Sequence, residues 1–279
     1  MILVTGATGF IGRHVLSRLL HSNKQEEIRI LLMEHEKDFL TEYPGLSYII
    51  GDLTNERAIV EAVRGVKTII HLASKNIDRD NTGFNAINVE GTKKLCEAAQ
   101  DQKVETFIYL SSVGVYGHES HRDADESTKL APDTDFSLSK AKAEKIVLEY
   151  NERGIFNGIV LRHRYVYGEG DVHVIPRMIK AARKYKFLLN KGKAMMSLIR
   201  VDDVAKIIHE FTKTTEREKD PVYHITDGFP IRYADIIGLF CESYDLDPPT
   251  KNLPIWFILP LLKVKELILN IDPEKTKSS

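Results

Sequence analysis

Two cysteines, Cys96 and Cys241, are all that 279 residues contain, and neither has a histidine or a second cysteine at ligand spacing. That excludes a disulfide framework and a cysteine-based metal site, and it leads us to expect a reducing compartment and no bound metal. An excess of one charge is also missing: 39 Lys+Arg stand against 40 Asp+Glu, a formal net charge of −1, so the chain has no field with which to hold a nucleic acid. Apolar runs of bilayer length are absent. The most apolar late segment, residues 253–262, is about half as long as a membrane span needs, and Pro254, Pro260, Lys263 and Lys265 interrupt it. A packed helix or lid is expected there, with a membrane-surface helix as the alternative because Trp256 and Phe257 adjoin lysines. There is no repeat of fixed period and no low-complexity tract. Met1 leads straight into Ile2, Leu3 and Val4 without a basic and then apolar leader, so a cytoplasmic location is expected.

What is present is alternation. Short β-branched runs at 2–4, 28–32, 48–50, 68–71, 107–110 and 159–161 are separated by segments at 11–20, 56–63, 89–99 and 137–150, whose apolar residues recur every three to four positions. Buried strands joined by amphipathic crossover helices make a parallel sheet. The expected fold is α/β: a Rossmann doubly wound parallel sheet over residues 1–164, followed by a smaller C-terminal α/β substrate-binding region over 165–279, some segments of which return to the first half. The last residues, 272–279, form a polar tail expected to fray.

The sequence TGATGFIG at residues 5–12 falls where the first strand turns into the first helix. Gly6 permits the tight turn, Gly9 lets a pyrophosphate approach the backbone, and Gly12 lets helix and strand pack closely, with the helix N-terminus facing the anion. Thr5 and Thr8 add hydroxyls, and Phe10 and Ile11 complete the loop. A plain tight turn is the competing reading. An acid at the end of the second strand would accept hydrogen bonds from ribose hydroxyls, whereas an arginine there would welcome a 2′-phosphate. The chain reads Met33, Glu34, His35, so Glu34 tips the choice towards NAD and leaves NADP open. A solvated surface glutamate is the alternative reading of Glu34, and the turn at 23–25 blurs the register.

Further matches accumulate in order: GDL at 51–53, HLAS at 71–74, NVEGT at 88–92, SSVGVYG at 111–117, VYG at 166–168, RVDDVA at 200–205 and VYHI at 222–225. Together with residues 5–12 they resemble the extended short-chain dehydrogenase/reductase family, which holds the NAD-dependent, nucleotide-sugar epimerases and dehydratases. The resemblance implies that Asp52, with Leu53, meets the adenine amino group, that Leu72, Ala73 and Ser74 line the cofactor ribose region, and that Asn88 lies near the active site. A turn aspartate, a packing alanine and a helix N-cap are the structural alternatives.

The same resemblance places Ser112 as the serine that steadies the substrate oxygen, and Lys140 as the lysine that holds the nicotinamide ribose and lowers the pKa of a catalytic tyrosine. The tyrosine position, however, holds Phe136, which has no hydroxyl to titrate. Tyr116, Tyr165 and His163 are candidate substitutes. Arg162, Arg164, Arg177 and Arg200 cluster in or after the sixth strand, and guanidinium forks suit a diphosphate, so Arg162 and Arg200 are expected to bind a nucleotide sugar; a surface pair with Asp202 explains Arg200 equally well. The family also implies a homodimer through the helices at 89–99 and 137–150. Three functions remain open: an NAD(P)-dependent oxidoreductase or isomerase of the epimerase/dehydratase type, an NADPH-dependent ketone reductase, and a cofactor-binding sensor or partner protein that Phe136 has disarmed.

Overall fold

The first strand, β1 (Ile2–Thr5), is buried over its whole length, as an apolar run at the centre of a parallel sheet must be. The computed structural model describes residues 1–22, 27–43, 46–117, 124–214, 216, 217, 219–254 and 256. The turn at 23–25, the tail at 272–279 and most of 253–262 lie outside the described residues, so the expectations for them are not taken further.

The other strands are β2 (Ile28–Leu32), β3 (Ser47–Ile50), β4 (Thr68–His71), β5 (Thr106–Ser112), β6 (Asn157–His163), β7 (Tyr165–Tyr167), β8 (Phe187–Leu189), β9 (Met195–Met196), β10 (Leu198–Arg200), β11 (Val222–Ile225), β12 (Ile231–Arg232) and β13 (Lys251–Leu253). The helices are α1 (Phe10–Ser22), α2 (Glu56–Val63), α3 (Thr92–Asp101), α4 (Asp135–Glu152), α5 (Val174–Lys184), α6 (Val201–Phe211) and α7 (Tyr233–Ser243).

Seven strands form one sheet in the order β3-β2-β1-β4-β5-β6-β11, every pair parallel. This is the expected Rossmann-like α/β sheet. The alternation of side chains along β5 divides the core. Ile108 and Leu110 join Val15, Leu16 and Leu19 of α1 and Val204, Ala205 and Ile208 of α6 on one face. Phe107 and Tyr109 join Ile59, Leu95, Ala99, Ala143 and Val147 of α2, α3 and α4 on the other. Because the chain winds outward from β1 in one direction and from β4 in the other, the C-terminal ends of these two strands flank the switch point, where ligands bind in such sheets.

Three local differences from the sequence-based expectation bear on the site. β5 and β6 run on to Ser112 and His163, which are paired partners in the parallel register. The third helix starts at Thr92 and is preceded by a π-helical turn at Asn85–Gly91. Gly91 permits that turn to press on the loop after β3, since a Cβ there would stand 2.6 Å from the Leu53 Cβ. Asn88 therefore lies inside the turn and caps no helix. α4 is capped by Thr134, whose hydroxyl accepts the Ser137 N–H at 3.1 Å while Ser137 Oγ accepts the Thr134 N–H at 3.1 Å.

The chain divides into two compact units. One comprises residues 1–170 with 199–226, and the other 171–198 with 227–279. The second unit contains α5, α7, the parallel pair β8 and β13, and the antiparallel pair β9 and β12.

Candidate active site

The glycines make a cradle at the switch point. Gly6 has φ +72°, and a Cβ there would lie 2.6 Å from the Ala73 nitrogen, so the turn presses directly on the end of β4. A Cβ on Gly12 would collide with the Gly6 carbonyl oxygen, whereas one on Gly9 would meet nothing closer than 3.4 Å. Two glycines are thus required by packing, and the third leaves open backbone at the start of α1, where N–H groups and the helix dipole favour an anion. Phe10 and Ile11 pack against the core with their backbone at this end.

The carboxylate that meets the glycine loop is Glu36. Its Oε1 accepts the Thr8 hydroxyl at 2.5 Å and its Oε2 accepts the Met33 N–H at 2.8 Å. Glu34, expected in that role, is instead exposed and paired with Lys37 at 2.6 Å. Residues 34–42 form a 3-10 helix, and a glutamate three residues into a helix reaches back to the N–H at its start. That spacing from Met33 to Glu36 was the available signal. Asp52 folds the loop after β3: its Oδ1 accepts the Thr54 N–H and hydroxyl at 2.7 and 2.5 Å, which holds the carboxyl below its usual range. Leu53 packs below it in the core.

The edge of β4 is organised by a buried chain of hydrogen bonds. The Thr5 hydroxyl accepts the Ala73 N–H at 3.3 Å and so donates to His71 Nδ1 at 2.7 Å; His71 Nε2 then donates to the Thr92 hydroxyl at 2.9 Å, which donates to the Asn88 carbonyl at 2.7 Å. Burial, helped by the Lys140 charge, pushes His71 down to about 3 and keeps it neutral. Asn88 is fully engaged: Oδ1 accepts the Lys75 N–H at 2.7 Å and the Ser74 hydroxyl at 3.3 Å, and Nδ2 donates to the Lys75 carbonyl at 3.0 Å and to Ser139 Oγ at 2.9 Å. It has no donor left for a cofactor. Its work is to tie the Ser74 loop to the first turn of α4, next to Lys140. Leu72 donates its N–H to the Thr5 carbonyl, which closes this edge.

At the end of β5, Ser112 Oγ accepts the Gly114 N–H at 3.1 Å and keeps its hydroxyl proton to donate. Across the sheet His163 stands in register with it, its Nδ1 2.9 Å from the Arg164 carbonyl, and burial pushes this imidazole down to about 4. Lys140 is 5% exposed, and its Nζ donates to the Leu110 carbonyl at 2.7 Å and lies 4.2 Å from the centre of the Tyr109 ring. That leaves N–H donors on a buried amine, which fits a ribose hydroxyl. Phe136 meets Phe84 edge to face at 5.8 Å, an apolar contact.

Two expectations are corrected here. Arg162 is 3% exposed and turned into the protein, where it forks onto both oxygens of the buried Glu144 and donates to the Tyr116 hydroxyl and, at 3.1 Å, to the Glu126 carbonyl. Its guanidinium is engaged by these partners rather than turned outward. Tyr116, expected as a substitute acid/base, is held by that arginine and by His224 Nε2 at 2.6 Å, and its burial raises its pKa. Glu144 also accepts the Ser111 hydroxyl at 2.8 Å. Its position two turns after Phe136 on α4 was the overlooked signal. Arg200 is exposed and bonded to Asp202 at 2.8 Å. Tyr165 carries the Arg164 guanidinium over its ring, with the hydroxyl 3.2 Å from that arginine. Among the described residues no group of His, Cys, Asp and Glu can hold a metal ion, and no helix is long and apolar enough to cross a membrane.

The chain is similar to a 4-hydroxy-2-methyl-3-oxo-4-farnesyl-3,4-dihydroquinoline-1-oxide ketoreductase of Stigmatella aurantiaca, with 27% identity over 90% of this chain and 75% of the relative. It is 26% identical to a decarboxylating sterol-4-alpha-carboxylate 3-dehydrogenase of Mus musculus, over 98% of this chain and 78% of that one. Curated relatives are matched over 52% to 78% of their own length. Among solved structures, MoeE5 in complex with UDP-glucose and NAD superimposes with a TM-score of 0.73 at 25% identity, covering 91% of this chain and 85% of MoeE5. The model of the NAD dependent epimerase/dehydratase family matches residues 2–225, and the chain belongs to that family.

Proposed function

We propose that this chain binds NAD(P) and moves a hydride between the nicotinamide and a secondary alcohol or ketone of a small molecule. The observation that carries this is the cradle: Gly6 and Gly12 are glycines by necessity, Gly9 puts no side chain over the N-terminal end of α1, and Lys140 and Ser112 bring donors to the same edge of the sheet. The bound nicotinamide supplies the hydride acceptor or donor. In this chain Ser112 would hold the reacting oxygen, Lys140 the ribose, and Glu36 the adenosine ribose, which favours NAD over NADP. Fluorescence titration with NADH and NADPH tests this: saturable binding is expected, tighter for NADH, and the absence of binding by either would sink the reading.

The substrate is better described as a ketone or alcohol on an apolar skeleton than as a nucleotide sugar. Arg162 is bound inside the protein and Arg200 is paired with Asp202, while Phe136 and Phe84 present an aromatic pair where a hydroxyl was expected. The names of the two curated relatives point the same way. A nucleotide sugar is the second reading, supported by the likeness to MoeE5. A homodimer through α3 and α4 is a weaker proposal, since their outward faces carry the ion pairs Lys93–Glu97 and Lys145–Glu149. Cys96 and Cys241 are both buried and unpaired, which suits the cytoplasm.

A further inference from the structure

Lys140 lies one helical turn beyond Phe136, so both residues share a face of α4. Among the described residues the only carboxylate that acts on it, Glu144, stands one turn further on and is already committed to the Arg162 guanidinium and the Ser111 hydroxyl. Among the described residues Lys140 has no ion pair. The groups that face it from the sheet add no negative charge: Tyr109 on β5 offers a ring face and a hydroxyl whose pKa burial raises, and His71 on β4 and His163 on β6 are neutral. A buried ammonium with one carbonyl acceptor and no counter-ion gives up its proton readily. Burial pushes Lys140 down to about 7, against the opposing pull of Glu144.

We infer that Lys140 is the proton reservoir of this site, taking over the titration that Phe136 has lost, with the Ser112 hydroxyl as the bridge to the substrate oxygen. This rests on the hydride-transfer reading above. Leu110, whose carbonyl holds the Lys140 amine, and Ser112 lie two residues apart at the C-terminal end of β5. In alcohol oxidation the carbinol C–H bond breaks and its electron pair leaves as hydride for the oxidised nicotinamide. The O–H proton passes to Ser112 Oγ as the serine's own proton passes to the neutral amine, which leaves a carbonyl and an ammonium. Ketone reduction by the reduced nicotinamide runs the same bonds in reverse. The sign of the pH dependence follows: ketone reduction needs the ammonium and falls with rising pH through about 7, whereas alcohol oxidation needs the amine and rises.

The direct test is NMR of the full chain labelled with 13C-lysine and saturated with NADH, the Lys140 Cε signal being identified by its loss in Lys140→Met. A midpoint near 7 is expected; a Lys140 that stays charged to about pH 9, in the ordinary range of a lysine, overturns the inference. Turnover of ethyl acetoacetate with NADH supplies the second arm. Wild-type turnover that falls across the same midpoint, and that Ser112→Ala lowers about 100-fold while NADH still binds, supports the reservoir. Turnover that is flat across that range, or that appears only in Phe136→Tyr, overturns it and leaves the hydride-transfer reading standing. Turnover in neither protein, with NADH bound, overturns both.

Discussion

The glycine cradle and the proposed proton-transfer edge lie on the same sheet, yet they depend on sequence in different ways. The cradle is made by backbone. Its requirements are the absence of side-chain atoms at Gly6 and Gly12 and the absence of a side chain at Gly9 beside the start of α1, and any sequence that meets them builds the same surface. The proton-transfer edge is made by single atoms, the Ser112 hydroxyl, the Lys140 amine and the missing oxygen of Phe136, so one substitution changes its chemistry while the fold stays as it was.

The largest expected effect strikes the cradle. Gly12→Val drives a side chain into the Gly6 carbonyl and should abolish NADH binding and lower the melting temperature, as fluorescence titration and calorimetry would show. Retained binding would mean that the close packing of α1 on β1 is not required. On the other side of the comparison, Glu144→Gln leaves the buried Arg162 guanidinium without its charge partner and should cost about 3–5 kcal/mol in urea denaturation; a loss under about 1 kcal/mol would show the pair to be dispensable.

A pH effect of intermediate size belongs to the cradle. His71 is held at about 3 when folded, below the ordinary histidine value, so the unfolded chain binds the proton first and stability falls as pH drops below about 6.5. Between pH 7 and pH 5 the loss from this residue is about 2 kcal/mol, read as a shift of the urea midpoint, and His71→Asn should flatten that dependence. The smallest effect separates two neighbouring glutamates. Glu36→Gln should shift the ratio of NADH to NADPH affinity about tenfold towards NADPH, whereas Glu34→Gln should leave it unchanged. The reverse result would return the ribose to Glu34.

The sheet was legible because buried parallel strands and crossover helices have different periods, and helix Glu56–Val63 fell on the expected residues. The π turn ahead of α3 was not legible, because it arises from the contact of Gly91 with Leu53, a tertiary approach that leaves no periodic trace. Ser112 and Lys140 were singled out through the family resemblance; Ser112 ends β5, and the Lys140 amine donates to the Leu110 carbonyl of the same strand. Arg162 was misassigned because a guanidinium at the end of a strand reads the same whether it faces a ligand or a buried glutamate; only the position of Glu144 on α4 decides. Glu36 was missed for a related reason. A 3-10 turn brings the third residue back to the strand end, and a count along an extended chain points to Glu34 instead.

The central claim is hydride transfer, and the most direct measurement follows the hydride. Wild type and Phe136→Tyr would be incubated with NADH and NADPH carrying deuterium at the transferable position, together with 3-oxo esters, 3-keto steroids and UDP- and dTDP-4-keto sugars, and the products weighed by mass spectrometry. The account predicts deuterium on a secondary carbinol carbon with the wild type, on an apolar ketone before a sugar nucleotide, and turnover raised about 10²–10⁴-fold when the tyrosine is restored. Cofactor bound by both proteins with deuterium delivered by neither would contradict it and make the chain a nicotinamide-binding protein without hydride chemistry.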